Sequence, residues 1–153
     1  MLKSKSAEET RSIGARLARQ LQSGDVVLLD GGLGAGKSEL ARGIIRELGF
    51  PGPVTSPTFT LMNLYETSKG PLHHFDWYRI EDPEELVLAG LDEFIGGDSI
   101  TLIEWSERAR DLVPETHLLL TIRVAGEHER ELDFQSNGAF RPLDMNALKG
   151  GRP

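Results

Sequence analysis

The chain has 153 residues, enough for one domain with a real core, and carries 17 Lys+Arg against 24 Asp+Glu, a formal charge of −7. That balance excludes broad nonspecific nucleic-acid binding over the whole surface. The absence of cysteine excludes disulfides and thiolate metal sites, and charged residues from Lys3 onward interrupt any N-terminal signal or membrane-spanning run. The expectation is a cytoplasmic protein with no membrane partner.

In chain order, Ser6 followed by Glu9 makes a capping-box pattern, and Ile13, Leu17 and Leu21 then share one helical face. Gly24-Asp25 turns the chain into a buried strand over 26–30. The run Gly31 to Ser38, GGLGAGKS, satisfies G-x-x-x-x-G-K-[ST] between that strand and a helical pattern of Leu40, Ile44 and Leu48, with Gly49 as terminator. This is the setting a phosphate-binding loop requires. Gly31, Gly34 and Gly36 allow a tight bend and close approach of the backbone to phosphate. Successive amides and the helix N-terminus then hold an anion. Lys37 reaches the β/γ-phosphates and the Ser38 hydroxyl ligates Mg²⁺. The nucleotide contacts expected here are Gly31, Gly32, Leu33, Gly34, Ala35, Gly36, Lys37, Ser38 and Glu39. A dinucleotide fingerprint fails, because Gly36 is followed by Lys37-Ser38-Glu39 rather than a further glycine in register.

Pro51, Pro53 and Pro57 keep the next stretch irregular. Strands are expected over 59–65 and 72–77, around a turn at Ser68-Lys69-Gly70-Pro71, followed by a short helix over 83–91 with Pro83 in its first turn. Residues 99–105 read as a buried strand ending in Glu104. Residues 117–124 and 130–134 read as two final strands joined near Gly126. Asp76 and Glu104 each close a strand, where acids that serve Mg²⁺ and the attacking water belong, and the sequence leaves their division of roles open. Ser56-Pro57-Thr58-Phe59 reads as a loop whose hydroxyls sense a γ-phosphate or its metal. His73, His74, His117 and His128 lack zinc-site spacing and read as strand or surface residues.

Four segments in this order, GGLGAGKS, SPTFTL over 56–61, HFDWYR over 74–79 and LIEW over 102–105, resemble the TsaE (YjeE) family of small bacterial P-loop ATPases. The resemblance runs from about Ser6 to Arg130. It implies an α/β fold: a single P-loop NTPase-like domain over 1–148 with a central mixed, mostly parallel sheet flanked by helices, then a flexible C-terminal tail over 149–153. It implies ATP and Mg²⁺ as cofactors, Lys37 as the phosphate lysine and Ser38 as the metal hydroxyl. Lys37, Asp76 and Glu104 become the catalytic residues, with Ser38, Asp76 and Glu104 on the metal and Glu104 Walker-B-like. Thr58 falls in the family's switch-like loop, and Trp105 flanks the nucleotide.

The implied function is ATP hydrolysis, slow in isolation, in threonylcarbamoyladenosine modification of the adenosine beside the anticodon. The implied partners are TsaD-like and TsaB-like proteins, with tRNA reached indirectly through them. The family usually reads GDLGAGKT; here Gly32 stands for the acid and Ser38 for threonine. A nucleotide-gated adaptor with little hydrolysis and a small-molecule kinase are the alternatives. Arg108 and Arg110 form a close pair for the latter, without a visible lid. A GTPase would need N-K-x-D, which is absent.

Overall fold

In the computed structural model, which describes residues 1–150, the elements in order are β1 (Leu2–Ser4), α1 (Ala7–Ala18), β2 (Val26–Asp30), α2 (Lys37–Glu47), β3 (Met62–Thr67), β4 (Gly70–Asp76), α3 (Glu84–Leu88), β5 (Ile100–Glu104), β6 (His117–Val124), β7 (Arg130–Asn137) and α4 (Met145–Leu148). Two 3₁₀ segments, Leu91–Phe94 and Ser106–Leu112, flank β5. The strands form one sheet in the order β1-β7-β6-β2-β5-β4-β3. Its centre, β6-β2-β5-β4, is parallel, and antiparallel pairs close both margins. The fold is thus the α/β arrangement expected, with a mixed sheet that is parallel in its core.

β2 is buried on both faces, which is why its sequence is a continuous apolar run rather than an alternation. One face packs on α1 and α2 through Leu17, Leu29, Leu40, Ile44, Leu102, Leu120 and Ile122. The other buries Leu28, Phe75, Trp77, Ile80, Leu86 and Ile103. Helices α1 and α2 cross at glycines: a Cβ on Gly43 would lie 2.1 Å from the Arg11 carbonyl oxygen, and one on Gly14 2.6 Å from that of Leu40.

α1 starts as its capping pattern requires, with the Glu9 amide donating to Ser6 Oγ at 3.0 Å, although the Glu9 carboxylate reaches back to the Lys5 amide instead of that of Ser6. Leu21 is buried but lies beyond the helix end. Gly49, at φ +95°, follows α2 as expected. The bounds of β2 and β6 match their apolar patterns.

β3 starts three residues later than the apolar pattern suggests. A turn from Pro57 to Leu61, closed by the Leu61 amide on the Pro57 carbonyl at 2.8 Å, holds Leu61 at φ +67° and delays pairing. β4 takes Gly70 and Pro71 from the expected turn, and stops at Asp76 before Trp77. The expected helix over 83–91 is shorter, with Pro83 as its N-cap rather than within its first turn. β7 runs on to Asn137 because β6 offers partners that far. Lys149 and Gly150 close α4; residues 151–153 of the expected tail lie outside the described residues. Among the described residues, no helix is long and apolar enough to cross a membrane.

Candidate nucleotide site

Strand β2 delivers the glycine-rich loop to the carboxyl edge of the parallel strands, where ligands of open α/β sheets bind. Gly34 (φ +75°) and Gly36 (φ +115°) take the left-handed conformation that glycine alone adopts readily. Gly36 caps α2 with no side-chain hydrogen bond, so the first amides of α2 remain available to an anion. Lys37 opens α2 and folds back into the loop. Its Nζ donates to the Gly31 carbonyl at 2.6 Å and lies 3.8 Å from the centre of the Trp105 ring. Burial pushes its ammonium below the usual lysine range, opposed by the charges of Glu104, Asp76, Glu107 and Asp30.

The two acids arrive on neighbouring strands. Parallel register sets Asp76 of β4 directly beside Glu104 of β5, and both are buried. Asp76 Oδ1 accepts from the Tyr78 amide at 2.9 Å, and Oδ2 accepts from Thr58 Oγ1 at 2.9 Å. Thr58 and Ser56 share a further hydroxyl contact of 2.7 Å. The loop proposed as a sensor is therefore tied to an acid of the site. Glu104 Oε2 lies 2.6 Å from His74 Nε2. His74 Nδ1 is buried and has no partner among the described residues. A carboxylate oxygen accepts, so His74 donates from Nε2 to Glu104. Trp105, just after β5, sits at φ +59°, unusual for a bulky residue, and this turns its ring over Lys37.

One cavity of about 320 Å³ gathers Leu33 through Glu39, Ser56, Thr58, Asp76, Glu104 and Trp105. Eleven residues expected at the site from sequence line it; Gly31 and Gly32 do not. Gly31 seats the loop instead, since a Cβ there would lie 2.7 Å from the Ile122 carbonyl oxygen. Gly32 is exposed, with nothing within 4 Å of an added Cβ. The Glu39 carboxylate is committed to Arg11 and Arg42, leaving its amide as its means of touching an anion. The cavity's metal-capable side chains, Ser38, Asp76 and Glu104, offer oxygen only, which suits a hard cation such as Mg²⁺. Among the described residues no group of three His, Cys, Asp or Glu side chains could hold a metal, so a cation here would need oxygens from outside the protein to complete its shell.

Two contacts at the site have no local signature. His74 reads from sequence as a strand residue, because its contact with Glu104 depends on strand register. Arg130, from β7, donates to loop carbonyls from behind. No local signal marks it.

The family model for the threonylcarbamoyl adenosine biosynthesis protein TsaE matches residues 4–132. The chain belongs to the TsaE family. The TsaE of Bacillus subtilis (strain 168) is 40% identical over 131 residues, covering 86% of this chain and 82% of that protein. The TsaE of Haemophilus influenzae is 45% identical over 97 residues, covering 63% and 61%. The crystal structure of Bacillus subtilis YdiB superposes with a TM-score of 0.72 at 34% identity, over 89% of this chain and 84% of that one. The expected membership in TsaE and the expected fold both hold.

Proposed function

We propose that residues 1–148 act as a single Mg²⁺-dependent ATPase domain in tRNA threonylcarbamoyladenosine biosynthesis. Its work lies in the cytoplasm on a TsaD–TsaB-like complex that modifies the adenosine beside the anticodon in tRNAs reading codons that begin with A. One observation carries this reading: Lys37, Ser38, Thr58, Asp76 and Glu104 converge on one cavity at a glycine-capped helix N-terminus. The names of the relatives, tRNA threonylcarbamoyladenosine biosynthesis proteins, support the pathway.

In this reading the loop amides hold the phosphates, and Lys37 exchanges the Gly31 carbonyl for β/γ-phosphate oxygens. Mg²⁺, when bound, neutralises charge on those oxygens. Ser38 supplies a hydroxyl on the metal side. Asp76 and Glu104 would share the tasks of holding the metal and orienting the attacking water. His74 fixes the direction of the Glu104 carboxylate. A γ-phosphate that draws Thr58 away from Asp76 would report the nucleotide state to the 56–61 loop. Leu33 and Phe59, 72% and 80% exposed, stand at the loop and beside Thr58, where a partner surface would cover them. An unpartnered site of this kind turns over slowly.

The test is ATP hydrolysis by the purified chain, alone and with TsaD and TsaB counterparts plus tRNA. Wild type is compared with Glu104→Ala and Asp76→Ala. Turnover that rises with the partners and collapses in both variants supports the proposal. Nucleotide binding with no turnover under any condition favours the adaptor.

A further inference from the structure

We infer that Arg130 is the positioning residue of the phosphate loop, bracing it from behind and tying its geometry to the β6–β7 hairpin. Arg130 opens β7, and its guanidinium points away from the sheet margin toward the loop. Nε donates to the Ala35 carbonyl at 2.9 Å and Nη2 to that of Gly34 at 3.4 Å. Nη1 meanwhile donates to the carbonyls of Glu129 at 2.9 Å and Gly126 at 3.3 Å. One planar cation therefore joins two backbone segments that share no sequence proximity. The hairpin itself is closed by the Ala125 amide on the Glu129 carbonyl at 2.9 Å, which gives the fork a fixed base.

The physical consequence concerns orientation. A phosphate loop works when its amides point inward, and each peptide plane that does so turns its carbonyl outward. The outward Ala35 carbonyl needs a donor, and the plane between Gly34 and Ala35 is held at both ends, its amide donating to the Gly32 carbonyl at 3.2 Å and its carbonyl accepting from Arg130. Arg130 supplies charge-assisted donors to both carbonyls. It also sets a permanent positive charge behind the anion-binding side. In this chain the brace has added weight, because Gly32 has no side chain with which to order the loop. Lysine could not replace it: a single ammonium cannot serve four carbonyls in two segments from one plane.

The inference rests on the nucleotide reading of the loop, so the test separates the two. Arg130→Ala, Arg130→Lys and Arg123→Ala are compared with wild type. Arg123 belongs to the same hairpin, pairs with Asp133 on the surface and controls for hairpin stability. ADP affinity is measured by calorimetry, and amide exchange of residues 32–38 by mass spectrometry on nucleotide-free protein. Arg130→Ala is expected to weaken ADP about tenfold, as loss of charge-assisted bonds to the loop would. Its loop amides should exchange faster while those of β2 and β5 stay protected, and millimolar guanidinium should partly restore ADP binding. Arg130→Lys recovers less than half of the loss on a logarithmic scale, and Arg123→Ala behaves as wild type.

Loop exchange unchanged in Arg130→Ala overturns the inference, as does faster exchange throughout the sheet, which would make Arg130 a residue of the fold alone. Wild type that binds ADP without hydrolysing ATP sinks the ATPase reading and leaves the brace standing. Wild type that binds no nucleotide sinks the nucleotide reading, and loop exchange still decides whether Arg130 orders those residues.

Discussion

Gly43→Ala tests the physical seat of the site from a distance. In an isolated helix the change would stabilise by about 1 kcal/mol, since alanine is the better helix former. Here the new Cβ would lie 2.1 Å from the Arg11 carbonyl oxygen, against 3.4 Å for the closest ordinary contact, so α1 and α2 must separate by about 3.4 − 2.1 = 1.3 Å. The neighbouring atoms are backbone, so no side-chain rotation relieves the clash. Overpacking of this kind costs about 1–3 kcal/mol, and retreat of the helices also loosens Leu17, Leu40 and Ile44. The net expectation is a loss of about 2 kcal/mol. At about 2–4 °C per kcal/mol for a chain of this size, Tm falls by about 4–8 °C. Urea denaturation should show a lower midpoint at unchanged slope. Because α2 begins with Lys37 and Ser38, ATP affinity should fall as well. Gly32→Ala is the control: nothing lies within 4 Å of its Cβ, so stability should change by less than about 0.5 kcal/mol. A Gly43→Ala variant as stable as wild type would refute the close-crossing argument.

Lys37→Met should abolish nucleotide binding yet leave the nucleotide-free protein as stable or more so, because a buried ammonium is removed. The sign with pH follows. The folded pKa lies below the unfolded 10.5, so wild type carries the full penalty below the folded value and sheds it as pH rises toward 10.5; the variant should lack that alkaline gain in Tm. A matching alkaline gain in both proteins would contradict this. Arg141→Ala should cost about 2–4 kcal/mol in urea unfolding, because it strips a two-point contact (2.9 and 2.6 Å) from the buried Asp25 carboxylate; a loss below about 0.5 kcal/mol would mean the pair is incidental. Thr58→Val removes the hydroxyl that leaves Asp76 for the γ-phosphate in this reading, and should weaken ATP about tenfold with ADP affinity nearly unchanged, as for a charge-assisted bond of about 1.5 kcal/mol. Unchanged ATP affinity would detach the 56–61 loop from the nucleotide.

The parts legible in sequence were those whose cause is local. GGLGAGKS declares its own backbone geometry, and β2 keeps the expected bounds because burial on the sheet dictates its apolar run, while β6 shows alternate buried residues from Leu118 to Ile122. Asp76 and Glu104 were visible as acids ending apolar strands, but their side-by-side placement is a property of strand register. β1 has no signature of its own because three residues are too few for a pattern, and it exists by pairing with β7. α4, four residues capped by Asp144, is likewise too short to show one. The late start of β3 follows from a turn that no propensity of Phe59 or Thr60 foretells. His74 and Arg130 act across 30 and 95 residues of sequence, distances at which spacing carries no information.

The most direct test of the central claim is tRNA modification itself. TsaD and TsaB counterparts, tRNA and the threonylcarbamoyl donor would be mixed with ATP and either wild-type chain or Glu104→Ala, and threonylcarbamoyladenosine measured by mass spectrometry. The account predicts sustained modification with wild type, and its loss with Glu104→Ala or with ATP replaced by a non-hydrolysable analogue. Sustained modification by Glu104→Ala, or by wild type with the analogue, would contradict the claim that hydrolysis at this site drives the pathway.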